Sequence, residues 1–267
     1  KLKVPYIFIF LCLLPWLSGL ILFTAYPMVS SFYQSFTKFN IINPPEFIGL
    51  DNYRRMFFED DDFMKALKNT IWISVISIPL RICFAIFTAW LLTRPKHGSK
   101  IYRTLFFIPS MVPAVAATIV FTFVFNPIYG PINRTLEGVG IDNPPYWFLD
   151  PNWSKWGLIL LGLWGIGDTM IIFLAGLLDV PKSLYEAAEL EGASTWQTFR
   201  YITLPLLTPV IFFSGVTGVI GSFQYFTQAF VASGQVNDYS KAMYFYATHI
   251  YEMAFKTYEM GYASALA

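Results

Sequence analysis

Long apolar runs divided by short polar stretches set the pattern of this chain. Five runs, at about 6–31, 70–92, 105–125, 156–178 and 204–230, are each long enough to cross a bilayer core about 30 Å thick, which takes about 20 helical residues. Backbone groups in lipid must pair within the segment, so runs of this length predict helices. Barrel strands would show alternation over about 10 residues, and the runs do not alternate. The first run is too long for a signal peptide, carries Pro15 inside, and is followed by no small-residue cleavage site. The stretch KTYEMGYASALA at 256–267 turns small and apolar and reads as the first turns of a sixth span cut short. The predicted fold class is all-α: a polytopic membrane protein of about six transmembrane helices, residues 1–267 forming a single transmembrane domain.

Composition agrees with that pattern. Of 267 residues, 55% are hydrophobic, 19% aromatic and 13% charged, where soluble domains carry about 25% charged residues. A net charge of +1 leaves no basic surface for nucleic acid. Cys12 and Cys83 lie in separate apolar runs and read as small buried hydrophobes, neither paired nor spaced for zinc. Basic residues fix the orientation. Segments 1–4, 94–103 and 179–202 hold eight Lys or Arg in 38 positions, whereas 34–69, 127–155 and 231–256 hold nine in 91. The denser side, which includes the N-terminus, is expected to be cytoplasmic. The acidic run 59–62 falls in the first outer loop.

Seven prolines, Pro15, Pro27, Pro79, Pro109, Pro113, Pro205 and Pro209, lie in or at the mouths of the spans, where each removes a helix hydrogen bond. Arg81 and Asp168 fall near the middle of spans two and four. Charges there are costly and are expected to face protein or water, or to pair with each other. Asp168 sits in WGIGDTM, where Gly165 and Gly167 leave backbone room, and is a candidate for lining a pathway. The fifth span carries Ser222, Gln224, Tyr225 and Gln228. Three of these share a helical face, and Gln224 points elsewhere. Packing between helices explains such a face as well as binding does. His97 reads as a solvated loop residue, and His249 receives no role. No G-x-x-x-x-G-K-[ST] loop, catalytic motif or metal motif is present, so no catalytic or metal residue is assigned.

Residues 181–210, PKSLYEAAELEGASTWQTFRYITLPLLTPV, do not belong in lipid. Ser183 with Glu186 three residues on has the spacing of a capping box. Gly192 then interrupts, residues 193–201 read as a second short helix, and Pro205 closes the unit. Small residues Ala187, Ala188, Gly192 and Ala193 permit close approach of another backbone, while Glu186, Glu189 and Glu191 offer charge to a basic surface.

The pattern Glu186-Ala187-Ala188 with Gly192, then Ile202-x-Leu204-Pro205, resembles the signature loop of binding-protein-dependent ABC importer permeases. Glu191 stands where that family often has Asp. FIGLDNYRRMF at 47–57 and RTLFFIPSMVPAVAATIVFTFVFNPIYGPIN at 103–133 resemble segments of the oligosaccharide and glycerol-phosphate (maltose-type) branch, with Phe near 121–123 where a Trp is common. The resemblance implies that residues 181–205 form a cytoplasmic coupling loop, with Glu186, Ala187, Ala188, Glu191, Gly192, Leu204 and Pro205 docking on an ATPase. It implies a second homologous permease, two ATPase subunits carrying ATP and Mg, and an extracytoplasmic solute-binding protein. No cofactor is expected on this chain, and the location is a bacterial or archaeal inner membrane. Asp168, Ser222, Gln224, Tyr225 and Gln228 are candidates for the substrate pathway of a sugar. The alternative reading is an ion-coupled secondary transporter of a small polar solute, which would need two related halves. No internal repeat is visible, and Arg81 with Asp168 is its only candidate coupling pair.

Overall fold

The computed structural model describes residues 6–93, 99–236 and 241–267. The basic loop positions Arg94, Lys96 and His97 and the N-terminal Lys1 and Lys3 lie outside the described residues. The chain separates into two compact units, Lys1–Met64 with His249–Ala267, and Lys65–Thr248.

In the first unit, helix runs from Tyr6 to Leu20, widens into a π turn at Ile21–Ala25 and resumes at Tyr26–Gln34. The wide turn immediately precedes Pro27, which has no N–H to donate to the turn below. The span Ile7–Gln34 contains an 18-residue window with a mean hydropathy of 2.4, none of which is buried by the chain itself, as expected of a lipid-facing helix. Beyond it the described residues depart from all-α in one place. Two-residue strands Thr37–Lys38 and Glu46–Phe47 pair antiparallel, Thr37 opposite Phe47 and Lys38 opposite Glu46. The buried Asn52 amide, on the helix Asp51–Phe58, donates to the carbonyls of Ser35 (2.8 Å) and Thr37 (3.0 Å) and ties down this hairpin. The helix Met260–Leu266 lies against it, with Gly261 N–H donating to Phe39 O at 3.0 Å. A Cβ at Gly261 would stand 2.0 Å from Thr37 O, so no larger residue fits without displacing backbone.

A carboxylate organises the polar centre of this unit. Asp60 Oδ1 accepts from Phe63 N–H at 2.9 Å, and Oδ2 accepts from the Tyr262 hydroxyl at 2.6 Å and lies 3.1 Å from His249 Nε2. The Arg55 guanidinium stacks over the Tyr262 ring, 4.2 Å from its centroid, and pairs with Glu259 at 2.9 Å. Burial pushes the Asp60 carboxyl upward, but the bonds from Tyr262 and Phe63 and the charges of His249 and Arg55 outweigh it and hold it below the usual range. Burial lowers His249, whose side chain is 1% exposed, against the opposing pull of Asp60, Asp62 and Glu252.

Asp60 also explains why the second span begins early. The helix Asp61–Thr93 has 33 residues and starts nine residues before the apolar run. Asp60 accepts from the N–H three residues on, and Asp61 and Asp62 complement the positive end of the helix. The acidic run is therefore a helix start, not a loop. Pro79 lies inside this helix without ending it.

In the second unit, three predicted spans are broken. Lys100–Met111 and Ala114–Val124 meet at 98°, Ser154–Trp164 and Gly167–Leu178 at 52°, and Thr195–Leu206 and Thr208–Phe223 at 62°. Prolines account for two of these breaks, Pro109 with Pro113 and Pro205 with Pro209, whereas the middle break falls at Gly165 without one. There Gly167 lets the third span close in, since a Cβ on it would lie 2.8 Å from Phe106 O, Phe107 Cα and Ser110 Oγ. The fifth run ends as helix at Phe223, turns, and continues as Thr227–Val236. Two apolar cores hold the unit. One gathers Phe125, Trp147, Phe148, Leu158, Ala229 and Phe245, the other Ala85, Ala89, Ile166, Met170, Phe173 and Leu207. Cys12 and Cys83 are unbonded and exposed, not buried as their apolar surroundings implied, because a lipid-facing surface is itself apolar. Two helices among the described residues are long and apolar enough to cross a membrane, and five spans result if each bent pair counts as one.

Candidate functional site

A cavity of about 530 Å³ opens within the second unit. Its walls come from the Asp61–Thr93 helix (Ser77, Arg81), from both halves of the broken fourth span (Leu158, Thr169, Ile172) and from the Thr208–Phe223 helix with the turn after it. Ser222, Gln224, Tyr225 and Gln228 all line it. A continuous helix would turn Gln224 away from Ser222. The α-helix instead stops at Phe223, and Gln224 takes φ −93° and ψ 8°, so the chain beyond Ser222 no longer follows helical geometry. Ser222 donates to Val219 O and forms a short hydrogen bond with Ser74, joining the second and fifth spans.

Asp168 is not among the lining residues; its neighbour Thr169 is. Arg81 lines the cavity, and its Nε donates to Thr169 Oγ1 at 3.1 Å. Asp168 influences Arg81 electrostatically without a direct ion pair, so the proposed Arg81–Asp168 coupling pair is not formed. Ser77, Ser214 and Thr217 also line the wall and were missed by the sequence reading. Their signal was there in spacing: Ser74, Ser77 and Arg81 lie three and four apart, and Ser214, Thr217, Gly218 and Gly221 follow i, i+3, i+4, i+7, a stripe of small and polar residues on apolar helices.

The elbow forms a second candidate site. Helix Lys182–Leu190 starts behind Pro181 with no side-chain cap, so Ser183 is not the N-cap, since Pro181 already places Lys182 in the first turn. The capping box occurs one helix later. Ser194 Oγ accepts from Gln197 N–H, and Gln197 Oε1 accepts from Ser194 N–H at 2.7 Å, opening the short helix Thr195–Thr198. That helix passes into a π turn, Phe199–Thr203, before Leu204–Leu206. Gly192 closes the first helix at φ +75°. Its N–H donates to Glu189 O and that of Ala193 donates to Ala188 O, the paired bonds of a Schellman cap. Only glycine adopts that φ without strain, although a Cβ there would meet no atom within 4 Å.

Around this elbow the side chains face outward. Glu186, Ala187, Glu191, Gly192 and Pro205 are exposed, Leu204 is half-buried, and Ala188 is buried. Leu190 is 91% exposed and Trp196 70%, two large apolar groups that the motif-based reading did not single out. Tyr185 hydroxyl bonds Thr203 Oγ1 at 3.1 Å, tying the first short helix to the base of the fifth span.

Comparison with known proteins agrees with these features. Residues 81–239 match the family model "Binding-protein-dependent transport system inner membrane component". The chain is 41% identical to a probable ABC transporter permease protein, YesP, of Bacillus subtilis (strain 168), over 95% of this chain and 82% of that protein. It is 32% identical to the lactose transport system permease protein LacF of Rhizobium radiobacter, over 79% and 71%. A solved bacterial ABC transporter involved in importing the acidic polysaccharide alginate shares the fold, with TM-score 0.82 and 23% identity over 97% of this chain and 88% of that one. With more than half its length under the family model and a relative 41% identical over 95% of the chain, this chain belongs to the binding-protein-dependent transport system inner membrane components.

Proposed function

We propose that this chain is a permease subunit of an ATP-driven oligosaccharide importer. It would form the translocation pathway with a second permease and be driven by two ATPase subunits that carry ATP and Mg. Substrate would come from an extracytoplasmic solute-binding protein. Relatives named for lactose, arabinooligosaccharide and starch-product transport support the substrate class. A related solved transporter bound to its pentasaccharide-loaded periplasmic protein supports the mode of delivery.

The observation that carries the reading is the elbow at 186–192. It is a rigid, glycine-capped turn with exposed acids and an exposed Leu190, joined through Tyr185–Thr203 to the start of a span. A partner that grips it moves that span. In this reading residues 181–205 face the cytosol with the N-terminus, and ATPase closure shifts the helices between two states. Asp168, Ser222, Gln224, Tyr225 and Gln228 belong to or border the sugar's path.

The test is accessibility combined with co-purification. In a Cys12→Ser, Cys83→Ser background, Leu190→Cys is expected to react in intact cells only with a membrane-permeant maleimide. Tagged wild-type chain is expected to bring down an ATPase chain and a second permease. Labelling by an impermeant reagent, or a chain that purifies alone, overturns the assignment.

A further inference from the structure

Arg81 is the one charged residue among the described residues lining the 530 Å³ cavity. A cation within a membrane span carries a penalty of several kcal/mol unless something uses it. Within the described chain a single hydrogen bond does so. Nε donates to Thr169 Oγ1, and the fork of the two terminal nitrogens has no hydrogen-bond partner among the described residues. Asp168, the nearest opposite charge, does not close on it. Ser214 adds a second group in the same wall with unmet bonding capacity. The residue is 92% buried, being 8% exposed, and its Oγ has no hydrogen-bond partner. The remaining polar lining is hydroxyl and amide: Ser77, Thr217, Gln224, Tyr225 and Gln228. These suit sugar hydroxyls, and none competes with a substrate anion for the fork.

We infer that Arg81 is a specificity-determining residue that receives a carboxylate, so that the preferred substrate is an acidic oligosaccharide containing a uronic acid. A planar guanidinium matches a carboxylate with two parallel charge-assisted bonds. The neutral wall binds the rest of the sugar, and a cation of the substrate would be repelled. This inference rests on the oligosaccharide reading above and narrows it.

The test uses the assembled transporter, with its co-purifying subunits, in nanodiscs without binding protein. The probes are trigalacturonate and its fully methyl-esterified form, compared by titration calorimetry. Wild type is expected to bind the acid at least about tenfold more tightly than the ester, the scale of one charge-assisted hydrogen bond. Arg81→Gln is expected to abolish that ratio by weakening the acid far more than the ester, and Arg81→Lys to restore part of it. Equal affinity of wild type for both probes, binding of neither, or an equal loss of both in Arg81→Gln overturns the inference. So does release of the second permease by Arg81→Gln, which would make the fork a subunit contact. The presence of ATPase chains in the same preparation is read independently. Their absence overturns the parent reading, whereas their presence with no acid preference overturns this inference alone.

Discussion

Two polar regions of this chain are built in opposite ways. Around Asp60, each carboxylate oxygen has a partner: the Phe63 N–H three residues on, and the His249 and Tyr262 side chains, 189 and 202 residues away. At the elbow of residues 186–192, the Schellman cap closes the backbone, yet every residue except the buried Ala188 is exposed. The first arrangement is how a fold stabilises itself. In the second, the outward side chains add little to the stability of the fold, and in the proposed reading they serve a partner. Substitutions in the two regions should therefore separate cleanly into those that alter stability and those that alter transport.

The strongest separation is expected at Gly192. Gly192→Asp should reduce radiolabelled sugar uptake to background while the amount of chain in the membrane, read by immunoblot, stays at the wild-type level. The added Cβ meets nothing within 4 Å, and Gly192→Ala carries the same strain at φ +75°, so uptake lost in Gly192→Asp and kept in Gly192→Ala would come from the docked partner. Normal uptake would remove the elbow from the coupling mechanism. Next is Asp60→Ala, which deletes a helix cap and leaves the Tyr262 hydroxyl without its acceptor. A loss of about 3 kcal/mol is expected, seen as a lower thermal midpoint of the purified protein. An unchanged midpoint would mean that the cluster does not hold the first unit.

Acid should act on the same cluster by a smaller amount. Asp60 is held below its ordinary range, so its contribution is present above the unfolded value of 3.8 and is lost as pH falls through the folded one. His249 is harder to protonate in the fold than in the unfolded chain, whose value is 6.5, so the unfolded state takes up the proton first. Both signs agree. Stability should be level from pH 8 to about 7 and decline below about 6.5, and His249→Gln should remove the earlier part of that decline. A midpoint rising on acidification would contradict both directions. The smallest effect is expected for Gly192→Ala, roughly 1 kcal/mol of local backbone strain with little change in thermal midpoint.

Much of this was legible along the chain. The elbow could be read because its parts are contiguous: an acidic helix former, small residues and a glycine at the required offset, ahead of Leu-Pro. The cap was misplaced onto Ser183, since a Ser followed three residues later by Glu or Gln also occurs at Ser194 and Gln197, and Pro181 decides between them. The spans were legible from length alone. Their breaks were not, because Pro79 leaves its helix continuous whereas the break at Gly165 needs no proline.

The sequence by itself determined that lipid is the main solvent of this chain, where its apolar runs lie and which polar segment interrupts them, because these properties are local and additive along the chain. Tertiary structure alone decided that Arg81 reaches Thr169 and not Asp168, that Gln224 joins Ser222 on one wall, and that His249 meets Asp60. Each of these depends on where helices stop and what they pack against, and that is set by contacts between residues far apart in sequence.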